Sequence, residues 1–392
     1  MDSADIAGLP PYGNGTLPAG IRSRHISNNN GLMVHVLEAG FETKGRPCVL
    51  LLHGFPELAF SWRKVMLPIA AAGYHVVAPD QRGYGRTTGW DPSYDADGDP
   101  FRILNMVRDA VGTVHALGYR SVAAVAGHDA GSPVASWATL IRPDVFSRLA
   151  IMSSPFPGPP AAVFNTANGD PPPNPPKNDD ELDAELAALP RPRKYYHNHQ
   201  RRREANDDML HAPQGLHNFF RAYYHYKSAD WKGNNPHPLK SRVAEEMAKI
   251  PTYYVMDRDK GMAETVAPFM PTAAEIAACK WLTEAECEVY ATEYKRTGFN
   301  GALQGYRVRR GSDPRSIAEQ RTFSGRTIDV PACFIAGKSD WGRYQLPGAL
   351  ASMETKACTN WRGTHIVDGA GHWVQQEQPE ATVKHLLDFL RG

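Results

Sequence analysis

Four short runs of almost unbroken apolar residues restrict this chain more than any other feature. They are CVLLLHG (Cys48 to Gly54), HVVAPD (His75 to Asp80), SVAAVAGHD (Ser121 to Asp129) and RLAIMSS (Arg148 to Ser154). A strand with one face in water alternates apolar and polar residues. A run that is apolar at nearly every position suits a strand covered on both faces, as in a parallel sheet with helices on either side. Between the second and third runs, Leu104, Val107, Val111, Val114 and Leu117 recur at helical spacing, as a strand-helix-strand crossover requires. The first half therefore reads as a mostly parallel, doubly wound α/β sheet. Ahead of it, SRHIS and LMVHVLEAG flank the turn signal NNNG, Asn28 to Gly31, which predicts a β-hairpin.

The pattern breaks at Pro155. PFPGPP and GDPPPNPPKNDDELDAEL are proline-rich and then acidic, a composition suited to a linker or loop. From about Leu182 to about Gly305 the chain is helical in pattern and rich in Tyr, Phe and His, with a capping box at Thr283 to Glu286. Strand patterns resume at VPACFIAGKSD (Val330 to Asp340) and THIVDGAGH (Thr364 to His372), and a helix opened by Pro379 closes the chain. These shifts divide the chain into a first half of an α/β core over 1–155, a linker and inserted helical cap over 156–310, and a second half of the core over 311–392.

Charge and cysteine content narrow the partners. Lys and Arg total 43 against 42 Asp and Glu, a net charge of +1, so no strong field draws the chain to nucleic acid or an acidic membrane, and a small molecule is the expected partner. The five cysteines form no Cys-x-x-Cys pair and read as reduced structural thiols. The N-terminus lacks the pattern of a secretory signal and no run of about 18 apolar residues occurs, which predicts a soluble, cytoplasmic protein. The basic run RPRKYYHNHQRRR, Arg191 to Arg203, reads as a solvated helix face, and FFRAYYHY, Phe219 to Tyr226, as packing between cap and core. The cap histidines lack metal-ligand spacing, so neither metal nor cofactor is expected.

In GHDAGSP, Gly127 to Pro133, an aspartate occupies the centre of a Gly-x-Asp-x-Gly turn between an apolar strand and a helix. Such an elbow presents its central side chain at the sheet edge, which makes Asp129 a candidate nucleophile. Asp340 follows the next-to-last strand and His372 the last, so nucleophile, acid and base come in that chain order. Asp368 and Asp313 are lesser candidates for the acid. HGFPE, His53 to Glu57, follows CVLLL; the backbone N–H of Phe55, with that of Ala130, is placed to form an oxyanion hole. His53, Gly54, Pro56, His128 and Trp373 flank these positions and are expected to border the substrate pocket. DQRGYGR, Asp80 to Arg86, lacks the lysine of a phosphate loop and reads as a structural turn.

HGFPE, SWR (Ser61 to Arg63), DQRGYG, GHDAG, GKSD and AGHW together resemble the α/β-hydrolase-fold epoxide hydrolases over nearly the whole chain. The resemblance implies an α/β-hydrolase fold and two cap tyrosines acting on the epoxide oxygen. One corresponds to Tyr306 in GFNGALQGYR; the other corresponds to Tyr253 in YYVMDRDKG, where the family pattern is departed from at Asp257, Arg258 and Lys260 and adjacent Tyr254 is a rival. Ala130 stands where relatives often carry Trp. An ionised carboxylate needs no deprotonation to attack a saturated carbon, so Asp129 suits displacement at an epoxide or an alkyl halide. His372, oriented by Asp340, would then activate water against the resulting ester. The expected activity is opening of an epoxide to a vicinal diol. A dehalogenase of this fold is the alternative, although such enzymes usually carry Asn at position 55 and Trp at position 130. A non-catalytic binding protein of the same fold is the third reading.

Overall fold

The computed structural model describes residue 6 and residues 8–162, 178–309 and 313–392; most of the proline-rich stretch assigned to a linker, 163–177, lies outside them. An eight-stranded sheet runs in the order β1 (Arg22–Ser27), β2 (Met33–Ala39), β4 (His75–Pro79), β3 (Cys48–Leu52), β5 (Ala124–His128), β6 (Leu149–Met152), β9 (Ala332–Gly337), β10 (Trp361–Val367). The hairpin β1–β2 is antiparallel and β2 pairs antiparallel with β4; from β4 to β10 every pairing is parallel. The unbroken apolar runs follow from this placement. Every residue of β3, β4, β5 and β6 is buried, because helices lie on both sheet faces. Among these helices are α1 (Arg63–Ala71), α2 (Ile103–Ala116) and α3 (Gly131–Ile141), which starts at the elbow.

Strands β6 and β9 are parallel neighbours, yet β6 ends at Met152 and β9 begins at Ala332. The intervening chain forms a largely helical layer over the carboxyl ends of the strands. Its longer helices are α4 (Leu216–Lys227), α5 (Glu284–Thr297) and α6 (Asn300–Arg309). The capping box opening α5 is present, with Thr283 accepting from the Glu286 N–H and the Glu286 carboxylate accepting from the Thr283 N–H. A final helix, α7 (Pro379–Arg391), packs against α1.

One expectation is corrected here. The run Arg191 to Arg203 is not a solvated helix face. Arg193 to Tyr195 form strand β7, antiparallel to β8 (Val255–Asp257), and Arg193 and Lys194 are only 6% and 5% exposed. Their charge conceals the burial: the Arg193 guanidinium donates to the Val255 carbonyl across the strand pair (Nε, 3.0 Å), so its polar groups are satisfied without water. All five cysteines are free thiols. No helix among the described residues is long and apolar enough to cross a membrane.

Candidate active site

Asp129 sits just beyond β5 with φ of 48°, a left-handed conformation that costs a non-glycine residue about 1–3 kcal/mol. The surroundings impose it. The Asp129 N–H donates to the Met152 carbonyl (3.1 Å), and the Asp129 carbonyl accepts from the Ser132 N–H (3.0 Å). Only glycine fits beside it: a Cβ on Gly131 would lie 2.4 Å from the Leu52 carbonyl oxygen, and one on Gly54 would lie 2.5 Å from the Asp129 Cβ. The small residues of GHDAG and HGFPE thus let the elbow press against the end of β3.

The side chains expected from the sequence meet at this point. Asp129 Oδ1 accepts from the Phe55 N–H at 3.0 Å, and Oδ2 lies 3.5 Å from His372 Nε2. On the other side of the ring, His372 Nδ1 is 3.0 Å from Asp340 Oδ1, which also accepts from the Gly342 N–H at 2.7 Å. Ser153, whose role is not apparent from sequence, places its hydroxyl 3.0 Å from the same Nδ1. Burial acts to raise the Asp129 carboxyl, but the His372 hydrogen bond, and then the charges of His372, Lys227 and His128, hold it well below the usual range. Asp340 is likewise depressed against its burial, by His372, the Ser153 hydroxyl and the Gly342 N–H.

Beneath the elbow lies a second charged pair. His128 Nδ1 is 2.6 Å from Glu57 Oε2 and its Nε2 is 2.8 Å from the His372 carbonyl oxygen. Both nitrogens face acceptors, so the ring satisfies both only as a doubly protonated imidazolium. Burial opposes that state, yet the Glu57 charge and hydrogen bond carry His128 up to about 9. Glu57 also accepts from the Gly54 N–H (3.0 Å) and from the side chains of Gln375 (2.9 Å) and Gln376 (3.2 Å).

Above the carboxylate is a cavity of about 350 Å³, lined in part by Asp129, Ala130, Tyr195, Tyr196, Tyr306 and Gln345. The Tyr306 ring stands edge-on to Phe55 (5.4 Å between centroids, 79° between planes) and 6.1 Å from Tyr196. Tyr253 is not among the lining residues. Its hydroxyl donates to Asn234 Oδ1 at 2.7 Å, and the amide of Asn234 is in turn anchored to the Tyr226 and Ser228 carbonyls. Tyr254 is buried with its hydroxyl unpaired among the described residues and does not line the cavity either. The register explains the exchange: the Tyr196 N–H donates to the Tyr254 carbonyl (2.9 Å), so one tyrosine doublet lies against the other and Tyr195–Tyr196 is the one presented to the cavity. A pair of aromatics inside a basic run is the sequence signal for this, since a solvated face has no need of them.

His53, Gly54, Pro56, His128 and Trp373 do not border the cavity and instead support it from behind. His53 Nε2 accepts from the Gln81 N–H (3.1 Å), and its carbonyl accepts from the Gln81 amide (2.6 Å), fixing the end of β3. Gln81 belongs to the DQRGYGR turn. There Asp80 accepts from Tyr12, from His35 and from the Ala59 and Arg86 N–H groups, a structural role. Trp373 stacks on Tyr224 (4.2 Å between centroids) and donates from Nε1 to the Tyr224 carbonyl. The His372 N–H donates to the Lys227 carbonyl (3.0 Å), and Glu377 accepts from the N–H groups of Gly371, Trp373 and Ala229. The end of α4 is therefore tied to the histidine loop. Asp368 is exposed and pairs with Lys338, and Asp313 caps a helix, so neither reaches His372.

Strand order, the strained elbow and the chain order of Asp129, Asp340 and His372 define a class, the α/β hydrolases. The model of the alpha/beta hydrolase fold matches residues 47–379. Within that class the chain belongs to the epoxide hydrolase family, being 30% identical over 372 residues to Epoxide hydrolase B of Mycobacterium tuberculosis, across 94% of this chain and 98% of that protein. It is 28% identical to Epoxide hydrolase 3 of Siraitia grosvenorii over 93% of this chain and 98% of that one. Among solved structures, an epoxide hydrolase from an endophytic Streptomyces superposes with a TM-score of 0.74 at 27% identity, covering 96% of both chains. Potato (Solanum tuberosum) epoxide hydrolase I gives 0.69 at 27% identity over 95% of this chain and 99% of that one.

Proposed function

We propose that this chain converts a small epoxide to a vicinal diol through an ester on Asp129. The observation that carries the reading is the division of labour between the two Asp129 oxygens. Oδ1 is held by the Phe55 N–H, while Oδ2 faces His372 under the cavity. In the first step the carboxylate attacks an epoxide carbon in line with the breaking C–O bond. The alkoxide that leaves is a strong base and needs a proton. Tyr306 and Tyr196, which both line the cavity with ring centroids 6.1 Å apart, are the groups we assign to supply it. Tyr306 is the tyrosine expected there, and Tyr196 takes the place expected of Tyr253.

In the second step His372 accepts a proton from water, which attacks the ester carbonyl carbon, and Asp340 orients the ring and stabilises its cationic form. Charge then returns to Oδ1, already in contact with the Phe55 N–H, with the Ala130 N–H at the start of α3 as second donor. A halide leaving group would need no proton, so paired phenols favour the epoxide. Five unpaired thiols accord with a reducing, cytoplasmic setting.

A single turnover in heavy-oxygen water tests the reading. The first diol should carry an unlabelled oxygen taken from Asp129, and Asp129→Ala should abolish turnover. Prompt incorporation of solvent oxygen into that first diol would mean direct attack by water and refute the ester.

A further inference from the structure

Lys227, the last residue of α4, is buried directly behind the histidine loop. It is 2% exposed, and its Nζ lies 4.7 Å from the ring centroid of Tyr254, 5.3 Å from those of Tyr223 and Trp373, and 5.7 Å from that of Tyr253. Its Nζ makes no hydrogen bond and no ion pair among the described residues. Ring faces attract an ammonium, but they replace only part of the hydration lost on burial. Carboxylates nearby make up the difference. Burial pulls Lys227 down to about 8, and the charges of Asp129, Asp340 and Glu57 oppose any further fall. Glu57 is already paired with His128 at 2.6 Å, while the charge of Lys227, with that of His128, acts on Asp129.

We propose that Lys227 is a positioning residue of the triad: its caged ammonium offsets the charges of Asp129 and Asp340, so that His372 between them stays able to accept a proton from water. The inference rests on the ester mechanism above. An imidazole bracketed by ionised carboxylates at 3.5 and 3.0 Å tends to capture a proton unless nearby cations offset their charge. As an imidazolium it donates to Asp129 Oδ2, the oxygen that must attack, and it cannot act as a base. A cation against the histidine loop, with Nζ 5.3 Å from the Trp373 ring, disfavours that state. The remaining charged and titratable groups around the site do not replace it. The His128 ring is 5.1 Å from that of His372, but its charge is compensated by Glu57 at 2.6 Å; Tyr253 and Tyr254 precede β8; Tyr223 lies one turn back on α4. Glu377, on the histidine loop, is pushed by burial up to about 8 despite its three N–H donors.

The test compares pH profiles of kcat/KM, which report the substrate-free enzyme. In Lys227→Met the acid limb should move upward by about 1 pH unit, a loss of about tenfold below the limb. Lys227→Gln should do the same, and Lys227→Arg should leave the limb in place even if the plateau falls. A folded neutral variant with its limb unmoved overturns the proposal. The ring-carbon resonance of His372, followed in substrate-free protein, should show the same displacement, so the inference is tested even if epoxide is not the substrate. If neither neutral variant folds, the wild-type enzyme decides: nitrogen NMR must show Lys227 as an ammonium at neutral pH, and a neutral amine there overturns the proposal.

Discussion

The buried Glu57–His128 pair gives a prediction with a calculable size. Glu57→Gln keeps the shape of the side chain and removes its charge, but the four donors around it cannot all be retained. Oε2 accepts from both the Gly54 N–H and His128 Nδ1, while Oε1 accepts from Gln375 and Gln376. If the glutamine places its NH₂ toward His128, the ring becomes neutral and accepts, and the Gly54 N–H is buried without an acceptor, costing about 1–3 kcal/mol. Exchange of a charge-assisted bond for a neutral one adds about 1 kcal/mol. The expected loss is therefore about 3 kcal/mol, at the lower edge of what breaking a buried ion pair costs. Urea denaturation at neutral pH measures it as a lower midpoint at unchanged slope. A variant within about 0.5 kcal/mol of wild type would refute the view that His128 is held as an imidazolium.

The same pair fixes a pH dependence. Because His128 is raised to about 9 in the folded state from 6.5, its contribution is fully present below pH ~6.5 and disappears as the pH climbs through about 9, a span of about 3 kcal/mol; denaturant midpoints across that range should fall in wild type and stay flatter in Glu57→Gln. Tyr306→Phe and Tyr196→Phe should each slow ring opening by about 10²-fold in stopped-flow measurements, and an unaltered rate in both removes the phenols from the chemistry. Gly131→Ala drives a methyl to 2.4 Å from the Leu52 carbonyl, so a stability loss of about 1–3 kcal/mol with impaired turnover should appear in thermal melts and activity assays, and a fully active, stable variant would contradict the tight elbow.

The core is readable because its strands are covered on both faces: CVLLL or LAIM has no exposed position at which a polar residue is favoured. The convergence of Asp129, Asp340 and His372 is readable for a related reason, since parallel strands end at one edge and residues just past their ends must come together there. Supporting residues are harder to recognise. Glu57 and Ser153 carry ordinary polar side chains whose partners are distant in the chain, and nothing local marks Lys227 as buried. The cap misleads further. Strands β7 and β8 are three residues each, too short for a periodic pattern, and Arg193 and Lys194 disguise one of them as surface. Two tyrosine doublets on facing segments leave the sequence with no means of telling which one turns toward the carboxylate.

Because the amide of His372 hangs from the Lys227 carbonyl and Glu377 grips Ala229 as well as Gly371 and Trp373, the imidazole travels with the roof at that corner. Lifting α4 to admit a guest would drag the imidazole away from Asp340. No residue of α4 lines the cavity, whereas Asn178, Asp179, Arg242 and Leu346 do. Work aimed at changing which guests are accepted belongs at those four positions, and substitutions along α4 would instead detune the engine.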